Sequence, residues 1–129
     1  MRRMIFASAL LAIGAGFHVA PATAAEWCFE GLGNTGCPWK EKFSLKQLRQ
    51  QPCEGLRHIR NSIYDRHDYC FKDPDLAEMY NNDDCTVKDA SKIKFNGNES
   101  TNISRIVKVE KEKSCKKPKA TSSGAGSAG

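Results

Sequence analysis

The chain has 129 residues, a formal charge of +5 and six cysteines. The charge lies at the ends: residues 25 to 115 carry 15 basic and 15 acidic side chains and hold every cysteine. A neutral stretch of that size excludes a large multidomain enzyme and argues against a nucleic-acid binder held by a strongly basic face.

Residues 1 to 24 read as a secretory signal. Arg2 and Arg3 supply the positive start, Ile5 to Val19 is an apolar run, and Ala22-Thr23-Ala24 presents the small side chains that precede cleavage. The run is short for a spanning helix and is broken by Gly14, Gly16 and His18, so no stable membrane insertion is expected after cleavage. Cys28 does not directly follow the small residues, which argues against a lipid anchor. The expected location is the periplasm or the medium, where six cysteines form disulfides. Six cysteines can pair in many ways and the sequence does not choose; the pairing adopted is Cys28–Cys37, Cys70–Cys85 and Cys53–Cys115. No Cys-x-x-Cys pair is present, so no metal site is expected, and no cofactor signature is present either.

Residues 25 to 42, with Gly31, Gly33, Gly36 and Pro38, predict an irregular loop pinned by a disulfide. Ser44 is a good N-cap for a short helix that Pro52 ends. A central helix is expected from Cys53 to His67. At 100° per residue it places Leu56, Ile59, Ile63 and Cys70 on one apolar stripe. Arg60 and His67 fall on or beside that stripe and Tyr64 at its edge, while His58, Ser62 and Asp65 are expected to face water. Asp73-Pro74 predicts the start of a third helix with Leu76, Met79 and Tyr80 inward and a stop at Asn81-Asn82. Residues 82 to 97 read as polar and irregular. A last helix, capped by Asn98, turns Ile103, Ile106, Val107 and Glu110 inward. Its lysines 108, 111 and 113 lie toward the C-terminus, where positive charge suits the helix dipole. Residues 116 to 129 become Lys-Lys-Pro-Lys and then Thr, Ser, Gly and Ala, and are expected to be disordered. The expected fold class is mainly α: a small disulfide-stabilised helical domain, residues 43 to 115, with an irregular N-terminal loop.

One segment is dense in chemically capable groups. Tyr64-Asp65-Arg66-His67-Asp68, preceded by Leu56-Arg57 and Arg60-Asn61-Ser62-Ile63 and followed by Tyr69 and Phe71, resembles the motif of the YARHG domain, a small domain of exported bacterial proteins. The resemblance continues through Leu76 and Tyr80 to Glu99, Asn102 and Ile103 and covers roughly residues 43 to 112. Asp65 stands where the motif has alanine, and Asp68 where its glycine closes the helix in a left-handed conformation. The family's Trp-Tyr pair after the third helix is absent, and Cys85-Thr86 stands about there. A Cys70–Cys85 disulfide would replace that packing.

The resemblance implies no established catalytic reaction. It implies an exported, non-enzymatic accessory or binding module of the bacterial cell envelope, whose partner is a cell-wall component or another exported protein. The alternatives are a periplasmic inhibitor of a cell-wall hydrolase, of the lysozyme-inhibitor kind, and a small secreted ribonuclease or toxin. The residues that would form either a ligand-binding surface or a structural network are Arg60, Asn61, Tyr64, Arg66, His67 and Glu99. In the structural reading an internal arginine–carboxylate pair links the central and last helices. In the binding reading, Tyr64, Arg66 and His67 grip a sugar, peptide or carboxylate. A ribonuclease would need His58 and His67 together, yet nine residues apart on one helix they lie about 13 Å apart along the axis and face opposite sides.

Overall fold

The computed structural model describes residues 27–116. Residues 1 to 26, with the expected signal segment, and residues 117 to 129 of the expected disordered tail lie outside them. Four α-helices follow in chain order: α1, Leu45–Arg49; α2, Cys53–Asp65; α3, Pro74–Met79; and α4, Gly97–Glu112, with 3-10 turns at Asn82–Asp84 and Ala90–Lys92. The described residues form no strand beyond a single bridge between Tyr69 and Val87. None of the described helices is long and apolar enough to cross a membrane.

The caps explain the starts. The Ser44 hydroxyl accepts from the Gln47 amide, and Asp73 accepts from Asp75 and Leu76 with Pro74 in the first turn. For α4 the cap is Asn96, not Asn98. The Asn96 side chain accepts from the Glu99 amide while the Glu99 carboxylate accepts from the Asn96 amide, a reciprocal capping box. That box draws Gly97 into the helix, and Asn98 instead donates to the Trp39 carbonyl. At the end of α2 the helix stops two residues short of His67. Asp68 takes a left-handed φ of 58°, the conformation a glycine would favour there.

Two apolar clusters lie on either side of α2. The larger joins Phe43 and Leu48 to Leu56, Ile59 and Ile63 of α2 and Ile106 and Val109 of α4. The smaller, under α3, is built on Tyr69, Phe71, Leu76 and Tyr80. This second cluster corrects the sequence reading of α2. His58, Ser62 and Asp65 do not face open water: Ser62 is 2% exposed, and the other two are half-buried. Trp27 lies edge-on to His58 and donates from Nε1 to Asp65 at 3.3 Å, and the Tyr80 hydroxyl reaches the His58 carbonyl at 3.0 Å. A single-stripe reading assumes one buried face, and here residues 27 to 29 and Tyr80 cover the other.

Two smaller corrections follow. Met79 is 55% exposed because α3 ends after one and a half turns, and only Leu76 and Tyr80 of this segment are buried. On α4 the buried stripe runs Glu99, Asn102, Ile106 and Val109, so Val107 falls on the flank.

Three disulfides close the chain: Cys28–Cys37, Cys53–Cys115 and Cys70–Cys85. The last stands beside main-chain bonds from Thr86 and Val87 to the Asp68 carbonyl, so the turn after α2 is held by both sulfur and backbone.

Candidate functional site

The candidate residues converge where the end of α2 meets the start of α4. Glu99, in the first turn of α4, is 1% exposed. Its Oε1 accepts from Arg66 Nη1 at 3.1 Å, and its Oε2 accepts from the Asn96 amide at 2.9 Å and lies 3.0 Å from His67 Nε2. A carboxylate can only accept, so the His67 proton sits on Nε2. One buried carboxylate therefore holds three donors, two from the motif and one from its own helix. Two arginine–carboxylate pairs join the central and last helices, Arg66 with Glu99 and Arg60 with Glu110.

Arg60 stands one and a half turns earlier on α2 and reaches a different acceptor. Its guanidinium makes a bond of 3.1 Å from Nη2 to Glu110 Oε1, with Nε 3.1 Å from Oε2. Arg57, near the other end, pairs with Asp73 at 3.2 Å and so ties α2 to the start of α3. Asn61 does not reach a neighbouring helix; its Nδ2 donates to the Arg57 carbonyl at 2.9 Å. The buried atoms Arg57 Nε, Arg60 Nη1, Asn61 Oδ1 and Arg66 Nε have no hydrogen-bond partner.

The outer rim of this junction is aromatic. Arg66 lies 4.6 Å from the centre of the Trp39 ring, a cation–π contact. Phe95 makes T-shaped contacts with both Tyr64 and His67, at ring separations of 5.1 Å. Tyr64 is half-buried, and burial raises its phenol above the ordinary tyrosine value, with Arg60 pulling it partly back. Trp39 and Phe95 were not singled out from the sequence. Trp39 lies in the irregular loop and Phe95 in a polar stretch, where no periodicity marks an inward side.

Asn102, which shares in the family resemblance, bonds to three backbone groups. It is fully buried; its Oδ1 accepts from the Phe43 amide at 2.7 Å and its Nδ2 donates to the Pro38 and Glu41 carbonyls at 2.9 and 2.8 Å. Glu99 and Asn102 thus share one face of α4, one reaching α2 and the other the loop before α1.

Chemically, a histidine–carboxylate pair is the orienting half of a hydrolytic triad, which also needs a nucleophile. Every cysteine is in a disulfide. Ser62, the hydroxyl of the motif helix, is buried and donates to the Ile59 carbonyl at 2.7 Å. His58 lies in the Trp27–Tyr80 cluster, where burial lowers its pKa, and does not meet His67. Among the described residues no group of three or more His, Cys, Asp or Glu side chains is placed to hold a metal ion.

A family model described as the YARHG domain matches residues 39–111. Comparisons with curated proteins and with solved structures find no match.

Proposed function

We propose, from the premise that this chain belongs to the YARHG domain family, that it is an exported, non-enzymatic accessory module that binds a cell-envelope component or another exported protein. Family membership and three disulfides support export. The observation that carries the non-enzymatic reading is the engagement of both Arg66 and His67 by the single buried carboxylate of Glu99. Groups spent in holding two helices together are not poised to meet a reacting atom.

The test uses the oxidised mature protein with purified cell-wall sacculi and with RNA. Saturable co-sedimentation without release of soluble products is the expected result. Product release that disappears in His67→Ala, with an unchanged melting temperature, would overturn the reading.

The N-terminal loop favours one second reading, inhibition of a cell-wall hydrolase. Residues 31 and 33 to 35 are exposed, and the Glu41 carboxylate binds the amides of Asn34, Thr35 and Gly36 and the Thr35 hydroxyl. Gly33 and Gly36 hold φ of 59° and 71°; a Cβ at Gly33 would meet that carboxylate, and one at Gly36 the Phe29 backbone. A loop held in one shape loses little entropy on entering a cleft. Dose-dependent slowing of lysozyme by the mature protein would support this reading, and no slowing at a large molar excess would remove it.

A further inference from the structure

The neutrality of the folded part conceals a separation of charge. Residues 65 to 89, from the end of α2 through α3, carry eight carboxylates against three Lys and Arg side chains. Residues 42 to 49 and 105 to 116, which form α1 with its lead-in and the second half of α4, carry eight Lys and Arg against two carboxylates. Both of those carboxylates are occupied: Glu112 by Arg49 at 2.9 Å, and Glu110 by Arg60 on the α2 side.

The fold sets these basic segments side by side. Arg105 Nη1 donates to the Phe43 carbonyl at 2.6 Å, Arg49 pairs with Glu112, and Lys113 Nζ donates to the Arg49 and Gln51 carbonyls at 3.1 and 2.6 Å. Contacts that advance together along both segments mean that α1 and α4 run in the same direction. Lys46 is then level with Lys108, between the Phe43–Arg105 and Arg49–Glu112 contacts. Lys42, Lys46, Lys108 and Lys111 are all exposed, and none of them makes an ion pair among the described residues.

We propose that this ridge, Lys42, Lys46, Arg105, Lys108 and Lys111, is the surface by which the module engages a linear polyanion bearing phosphate groups. The inference rests on the binding-module reading above and names the chemistry of its ligand. Free lysines act as point charges for phosphate, whereas Arg49 is held by Glu112 at the surface and Arg105 gives one N–H, from Nη1, to the Phe43 carbonyl. The α4 part of the ridge, from Arg105 to Lys111, runs about 9 Å at a rise of about 1.5 Å per residue, which suits a short stretch of an extended chain laid along it. A polymer fits better than a bilayer. Met79, the one large apolar side chain exposed among the described residues, lies on α3 and not on the ridge, so no apolar group there would enter lipid.

The experiment titrates the oxidised mature protein with inorganic polyphosphate and, separately, with phosphatidylglycerol vesicles, at several salt concentrations. The expected result is saturable polyphosphate binding that weakens steeply with salt, as counterion release requires, and little vesicle binding. Lys46→Glu with Lys108→Glu should weaken it at least tenfold, with Lys46→Gln and Lys108→Gln in between, all at unchanged melting temperature. Lys72→Glu with Lys88→Glu, on the acidic side, should have a much smaller effect. Equal loss from both pairs, no binding, or tighter binding to vesicles would overturn the proposal. Retention on sacculi that persists in the ridge variants would overturn the ridge and leave the module reading intact.

Discussion

His67 Nε2 and Glu99 Oε2 stand 3.0 Å apart, and the same Glu99 oxygen also accepts from the Asn96 amide that opens α4. The motif histidine is therefore bonded to the capping box of another helix. Removing the carboxylate undoes three things at once: the reciprocal cap, the Arg66 pair and the His67 pair. Glu99→Ala should cost about 2–4 kcal/mol, since it strands three donors and leaves a cavity. Arg66→Ala and His67→Ala should each cost about 1 kcal/mol, because both side chains are partly solvated. Thermal melts of the three variants check the order. Glu99→Ala no worse than the other two would contradict the arrangement.

Asn102 makes three bonds to the backbone from a position without solvent access. Asn102→Ala should destabilise by about 2–4 kcal/mol by leaving the Phe43 amide and two carbonyls unpaired. Asn102→Asp keeps the shape but trades two donors for a buried charge, and should be at least as damaging. Denaturant unfolding of both variants decides; an aspartate variant near wild-type stability would show that the pocket admits water.

Glu41 should titrate far below an ordinary glutamate. The amide of Asn34, then the hydroxyl and amide of Thr35 and the amide of Gly36, hold its carboxyl at about 2 rather than 4.5. A depressed folded pKa gives a contribution present in full above about 4.5 and lost as pH falls toward about 2. The site is at the surface, so the readout is local. Carboxyl NMR should give a midpoint near 2, and exchange of the Asn34 to Gly36 amides should quicken below it. A midpoint near 4.5 would mean that the loop does not hold its carboxylate.

The three disulfides should contribute unequally. They span 9, 15 and 62 residues of sequence separation. Chain-entropy arguments then give about 2.5, 3 and 4 kcal/mol. Replacing Cys53 and Cys115 together by alanine should lower the melting temperature most, and replacing Cys28 and Cys37 least. The reverse order in calorimetry would show that native contacts, not loop length, decide.

Much of this architecture could be read from local chemistry. Ser44 and Asp73-Pro74 mark their helix starts because a cap acts over three or four residues. Leu56, Ile59 and Ile63 mark the buried side of α2 because apolar spacing is itself local. What escaped depends on distant chain. Gly97 reads as loop and hides Asn96 as the cap, and only its reciprocal bonds with Glu99 show that the helix has begun. Periodicity alone puts Ser62 in water, because nothing in α2 announces that Trp27 and Tyr80 cover its second side. At the candidate site, Glu99 was named with Arg66 and His67, but Glu110 as the acceptor for Arg60 was not. Arg60 and Glu110 are fifty residues apart, and no spacing rule links them.

The double duty of Glu99 also bears on how the chain acquires its shape. A helix start and the docking of that helix are usually separable events, one local and early, the other distant and late. Here a single buried carboxylate serves both, so the first turn of α4 gains its full cap only when the end of α2 arrives to neutralise it. Those two segments should open and close as one cooperative unit, and amide protons in each should exchange with the same free energy.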